Sequence, residues 1–245
     1  MMNRVLPIAF GVVADSLRRK VVYVILVFAA LLAFAIPMLP DYGLGVESAV
    51  FREVALALAF VTALVVTLSL AANRVPGEVE RRTVYNVVAK GVSRPEYLIG
   101  TWLGVFLVAG GSIAAFTVIE QVVGLITYDE IMWQLWQGAL AIWLEMGVVA
   151  AIAVAVSAVT GPVVVVTATL AALFIGHSRS TLLGGEGALA LQPFYPSFDA
   201  FNVVNPVAHG SGVPPVYLAS MLAVFVGFAG IALIVGSMLF SRRDL

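Results

Sequence analysis

One carboxylate, Glu145, stands inside a long apolar run of this sequence, about residues 135–159. Placing an ionised group at such a position in a bilayer costs at least about 2.5 kcal/mol, so it must face protein or water. Two chemistries suit it: a neutral or hydrogen-bonded carboxyl that ties helices together, or a polar, proton-taking point on a substrate route. No basic partner for it is visible within the apolar runs. The chain's 2 histidines, His177 and His209, are 32 positions apart in a polar stretch and read as solvated loop residues, not as a metal pair. There is no cysteine, which excludes disulfides, iron–sulfur clusters and thiolate metal sites, and the 7 methionines are scattered and do not form a copper relay. No G-x-x-x-x-G-K-[ST], H-E-x-x-H or G-x-S-x-G motif occurs, so the chain is not expected to be an enzyme by itself.

The second chemistry is recognition by charge. Residues 73–100, NRVPGEVERRTVYNVVAKGVSRPEYLIG, hold Arg74, Glu78, Glu80, Arg81, Arg82, Lys90, Arg94 and Glu96 in a chain that is only 11% charged. Pro76 and Gly77 are expected to open a short helix over 76–91. Glu78 and Glu80 would occupy its early turns, where the helix dipole favours anions, and Lys90–Gly91 would close it. Val84, Val87 and Val88 share one face of that helix, leaving Glu78, Arg81, Arg82 and Asn86 largely on the others. Ser93-Arg94-Pro95-Glu96 has the form of a capping box with proline in the first turn, so a new helix is predicted to begin there.

The elements that must hold these groups are read from hydropathy. The chain has 245 residues, is 62% hydrophobic and has a mean hydropathy of +1.06, which places it in the membrane class as one helical domain over 1–245. Six apolar runs, at about 21–39, 54–72, 97–119, 135–159, 162–176 and 216–240, predict an all-α six-span bundle. The fifth run is short for a span unless its helix starts within the Thr160-Gly161-Pro162 turn. Before the first span, Leu6, Phe10, Val13 and Leu17 lie on one helical face, which predicts a retained interfacial helix, not a cleaved leader. Residues 177–215 are rich in Gly, Pro and aromatic residues, and are expected to lie on the outer leaflet or dip into it. Trp133, Trp136 and Trp143 mark the entry of the fourth span from the headgroup belt, and glycines along the third span and small residues along the sixth suit close helix packing.

Charge then orients the bundle. With both ends on one side, 11 of the 13 Lys and Arg residues fall on that side and only Arg52 and Arg179 on the other. By the positive-inside rule the termini and the charged loop are cytoplasmic, which predicts a multi-pass protein of the inner (plasma) membrane.

Glu78-x-Glu80-x-x-Thr83, followed by Ala89-Lys90-Gly91-Val92-Ser93-Arg94-x-Glu96-Tyr97-Leu98-x-Gly100, resembles the first cytoplasmic loop of type-2 ATP-binding-cassette transporter permeases. The closing Phe240-Ser241-Arg242-Arg243-Asp244-Leu245 is similar to the tail of many members. Arg82, Gly91 and Thr101 stand where the family commonly has Gly, Pro and Lys. The resemblance implies six spans and a coupling helix seated in a groove of a separate ATPase. On that reading Glu78, Glu80, Arg81, Arg82, Thr83, Val84 and Val87 form the coupling surface. It also implies two ATPase subunits that carry ATP and Mg, with no cofactor on this chain, and a second permease subunit, identical or related.

The expected function is therefore the permease subunit of an ATP-driven exporter embedded in membrane lipid, with no nucleic-acid partner. Two readings of other classes stand beside it: a proton-coupled secondary carrier that uses Glu145, and a membrane scaffold that moves nothing.

Overall fold

A computed structural model describes residues 2–18, 21–35, 46–80, 91–178 and 197–242. Its elements in chain order are α1 (Met2–Arg18), α2 (Val21–Ala35), α3 (Glu47–Glu80), α4 (Arg94–Tyr128), α5 (Leu135–Ser157) and α6 (Pro162–His177). A 3-10 turn (Phe198–Phe201), α7 (Val204–Ala208) and α8 (Pro215–Ser241) complete them. No strand occurs among the described residues. Each of the six apolar runs becomes a helix. Four of these helices, α3, α4, α5 and α8, are long and apolar enough to cross a membrane, whereas α2 and α6 are shorter apolar helices.

Three boundaries differ from the sequence expectation, each for a local reason. Residues 47–53, before the second apolar run at 54–72, already belong to α3. At its other end α3 runs through Pro76 and Gly77, where a helix start was expected. A proline in a helix interior removes one backbone hydrogen bond and normally kinks or ends the helix. Here Ala71, Ala72, Val75 and Pro76 are buried against the core, and Arg74 Nε meets Glu78 Oε1 at 2.6 Å across the proline. Packing and an ion pair one turn apart thus carry the helix past it. The third boundary is the end of α4. It continues beyond Ile119 to Tyr128 and stops where Asp129 takes the left-handed conformation at φ 54°, its N–H returning to the Leu125 carbonyl.

The start of α4 is as expected. Ser93 is an extended N-cap, its hydroxyl accepts from the Glu96 N–H, and the Glu96 carboxylate accepts from the Ser93 N–H at 2.8 Å, with proline in the first turn. The N-terminus of α6 is set by extended Gly161 and by Pro162, so that helix does begin inside the turn.

The core is organised around α5, in which 17 of 23 residues are buried. A ladder of rings joins it to its neighbours. Trp102 stacks on Phe106 at 5.6 Å, Phe106 on Trp143 at 4.5 Å, and Phe225 of α8 on Phe106 at 5.2 Å. The indoles also donate across the interface, Trp102 Nε1 to the Gly147 carbonyl and Trp143 Nε1 to the Phe106 carbonyl, each at 2.9 Å. Trp143 is thus a core residue and not a member of the headgroup belt, while Trp133 and Trp136 are exposed.

The α4 glycines do admit close neighbours. A Cβ at Gly100 would meet Ile8 Cβ at 2.8 Å, one at Gly104 would meet Val12 Cβ at 2.5 Å, and one at Gly110 would meet the Trp143 indole. On α8, by contrast, nothing lies within 4 Å of a Cβ at Gly227 or Gly230. The small-residue face that includes Ala219 and Ala223 therefore has no partner among the described residues.

Candidate functional sites

The end of the bundle where α3 stops and α4 starts, which we call the base, is held by a chain of polar contacts. Asp15 of α1 accepts from Arg74 Nη1 at 2.7 Å. Arg74 in turn pairs with Glu78, whose second oxygen accepts from the Tyr97 hydroxyl at 2.7 Å. Tyr97 is buried and stacks on Phe240 at the end of α8, with ring centroids 6.1 Å apart. Arg94 lies over the same Phe240 ring, and its Nη1 donates to the carbonyls of Phe240 at 2.9 Å and Ser241 at 2.7 Å. On the near side of α4, Arg4 of α1 donates to the Gly91 carbonyl. Gly91 sits at φ 78°, a conformation that glycine adopts at no steric cost.

Glu78 and Gly91, on either side of residues 81–90, are therefore both held by side-chain contacts. Of the coupling set read from the sequence, Glu78 is the one whose side chain is described. It is engaged inside the chain, and Glu80 ends α3. Arg81, Arg82, Thr83, Val84 and Val87 lie outside the described residues, and so do Asn86 and Val88.

At the other end, Arg52 is only 5% exposed and draws the loops together. Its Nη2 meets Glu130 Oε1 at 2.5 Å and its Nη1 donates to the Ala208 carbonyl at 2.8 Å. Gln137 accepts from the Val213 N–H at 2.7 Å, and Gln134 donates to the Gly210 carbonyl at 3.0 Å. Residues 197–214 are thereby fixed to the first turn of α5, while 179–196, the rest of the expected outer segment, lie outside the described residues.

Glu145 is buried at the middle of α5, as its place in the apolar run required. The expectation that it lacks a basic partner is corrected: His177 Nε2 lies 3.5 Å from Glu145 Oε1. The hairpin explains the meeting. From the turn at 158–162, Glu145 lies 13 residues back and His177 15 residues forward, about 20 Å and about 23 Å along their helices at 1.5 Å per residue. His177 is accordingly no solvated loop residue. Its ring stacks on Phe198 at 5.7 Å, meets Phe60 edge-on at 6.1 Å, and places Nδ1 3.3 Å from the Leu173 carbonyl. Beside it an apolar recess of about 420 Å³ is lined by Phe60, Leu170, Leu173, Phe174 and His177. His209, by contrast, is exposed at the end of α7 and bonds only back to Asn205.

A second buried carboxylate, Glu120, lies one residue past the end of the apolar run at 97–119. It is 1% exposed on the inner face of α4, and neither oxygen has a hydrogen-bond partner among the described residues. The signal was present: Ile113, Phe116, Thr117, Glu120 and Gly124 continue one helical face, so the helix does not end where the apolar run does. Among the described residues no three His, Asp or Glu side chains gather to hold a metal. Comparison of the chain with protein-family models and with curated proteins finds no match.

Proposed function

We propose that this chain is the transmembrane permease subunit of an ATP-driven exporter of the type-2 ATP-binding-cassette kind. It works as a pair of identical or related subunits, with two ATPase subunits docked at the base. The observation that carries the reading is the bracketing of residues 81–90 by two fastened points: Glu78 held by Arg74 and Tyr97, and Gly91 held by Arg4 beside the Ser93–Glu96 cap. A charged loop anchored in this way to α1, α3, α4 and α8 passes a push on its surface directly to the bundle. Such a push biases one of two packed arrangements, which is the logic of alternating access. The charge split of 11 to 2 supports a cytoplasmic base and insertion in the plasma membrane. ATP and Mg belong to the ATPase partners.

The test leaves Glu78 alone, because reversing its charge breaks the Arg74–Glu78–Tyr97 chain as well as any docking contact. The double variant R81E/R82E is expressed with its ATPase. The expected result is weaker copurification or ATP hydrolysis uncoupled from export, since like-charge contacts at an interface cost several kcal/mol. Normal copurification together with normal export overturns the reading.

The Glu145–His177 contact favours a second reading, a proton-coupled carrier. That protein moves its substrate under a pH gradient with no nucleotide, whereas the exporter does not.

A further inference from the structure

We propose that residues 197–214 form a lid that closes the end of the bundle opposite the base, above Glu145, and that the Arg52–Glu130 ion pair is its latch. The segment is two-sided. Phe198, Val203, Val207 and Val213 are buried, whereas Asn202, Asn205 and Ser211 are exposed. Phe198 stacks on His177 with ring centroids 5.7 Å apart, and His177 Nε2 is 3.5 Å from Glu145 Oε1. The inner side of the lid therefore rests on the ring that borders the buried carboxylate.

Sparse fastening makes this segment a lid and not a wall. Its own regular structure is a 3-10 turn and the five residues of α7, too short to hold themselves in place. Side chains of the bundle tie it at four residues. The Ala208 carbonyl accepts from Arg52 Nη1 at 2.8 Å, the Gly210 carbonyl from Gln134 at 3.0 Å and the Ala200 carbonyl from the Tyr217 hydroxyl at 3.0 Å, while the Val213 N–H donates to Gln137 at 2.7 Å. A segment held in this way opens locally at a fraction of the cost of global unfolding.

Of those four ties, the one from Arg52 carries a charge. Its guanidinium is buried and permanently protonated, and its Nε has no hydrogen bond among the described residues. The ion-pair partner, Glu130, stands on the loop between α4 and α5 with its side chain 46% exposed. Loss of that carboxylate strands a buried cation, which destabilises far more than replacing the whole pair by apolar groups. The guanidinium then turns toward water and gives up the Ala208 carbonyl. One accessible carboxylate in this way sets how firmly the lid is shut.

The lid requires neither an ATPase nor transport, so its test stands apart from that of the exporter reading. Hydrogen exchange of the full chain in lipid nanodiscs, read by mass spectrometry, follows peptides of the lid beside peptides of α5. In the native chain the hydrogen-bonded amides of His209, Gly210 and Ser211 should exchange at least about a hundredfold faster than those of α5, at a rate indifferent to low denaturant, the mark of a local opening. E130Q should speed exchange of the lid by at least about tenfold more and leave α5 unchanged. R52M/E130Q, in which no charge is stranded, should exchange more slowly there than E130Q alone. E145C, in a chain with no native cysteine, should react with a small water-soluble methanethiosulfonate at least about tenfold faster when combined with E130Q. Lid amides that exchange only together with those of α5 overturn the proposal. So does an E130Q chain whose lid is as slow as the native one or whose whole bundle loosens with it, a double variant as fast as E130Q, or an E145C thiol whose reactivity ignores residue 130.

Discussion

Tyr97 donates its phenolic hydrogen to Glu78 at 2.7 Å, joining the first turn of α4 to the last turn of α3 across the loop between them. Because Tyr97 also rests on Phe240, one side chain gathers three helices at the base. Removing only the hydroxyl, by Tyr97→Phe, keeps the ring stack and deletes a hydrogen bond to a charged acceptor, a loss of about 1.5–3 kcal/mol. Denaturant unfolding in detergent should show it. A double-mutant cycle with Glu78→Gln should give a coupling of about 0.5–3 kcal/mol, whereas additive effects would mean that the contact carries no energy.

Gly147 lies under the aromatic ladder. A Cβ there would run into the rings of Phe225 and Phe106, while one at Gly111 meets nothing within 4 Å. Gly147→Ala should therefore destabilise the bundle by about 1–3 kcal/mol, the usual cost of overpacking. Gly111→Ala should be neutral or slightly stabilising. Equal unfolding midpoints for the two variants would contradict the packing described for α4, α5 and α8.

At Glu145 the need for a polar atom separates from the need for a charge. Glu145→Gln keeps a polar group beside His177, whereas Glu145→Leu puts hydrocarbon there. If the exporter uses Glu145 only to tie helices, glutamine preserves most of its activity and leucine does not. An export assay that finds both variants inactive would favour the proton-coupled reading.

The chain has no cysteine, so single-cysteine labelling has no background to subtract. Ser241 and Ser211 are both exposed and lie at opposite ends of the bundle. A cysteine at Ser241 should react with an impermeant thiol reagent only after the membrane is opened, and one at Ser211 should react in sealed cells. The reverse pattern would invert the proposed topology.

The helices were legible because each apolar run is long, uncharged and bounded by Pro, Gly or a cluster of charge. The Ser93–Glu96 cap was legible because its residues lie within one turn of each other. Pro76 misled because its local preference for a helix start is outweighed by burial and by the Arg74–Glu78 pair, and neither is visible in a window of sequence. Glu120 lies just past the apolar run that ends at 119, yet the helical face it continues stays buried, so hydropathy alone stops that helix too early. The Glu145–His177 contact depends on two residues 32 positions apart being at equal height on a hairpin. That height could have been counted from the turn, but a histidine in a polar stretch gave no reason to count. Of the coupling residues expected from the sequence, Arg81, Arg82, Thr83, Val84 and Val87 lie outside the described residues, so that expectation still rests on the sequence alone.

The seating of α1 has a consequence for how the protein is made. Its groove is the face of α4 that carries Gly100 and Gly104, against which Ile8 and Val12 pack. That face is synthesised about 90 residues after the helix that fills it, a delay of about 5–20 s at 5–20 residues per second. Throughout that interval α1 has emerged without its seat on α4, and its apolar side, with Ala9 and Val12 on it, lacks the surface that finally buries it. This helix must therefore wait for the third apolar segment before it can dock on its glycines, and the base can be completed only after both are in place.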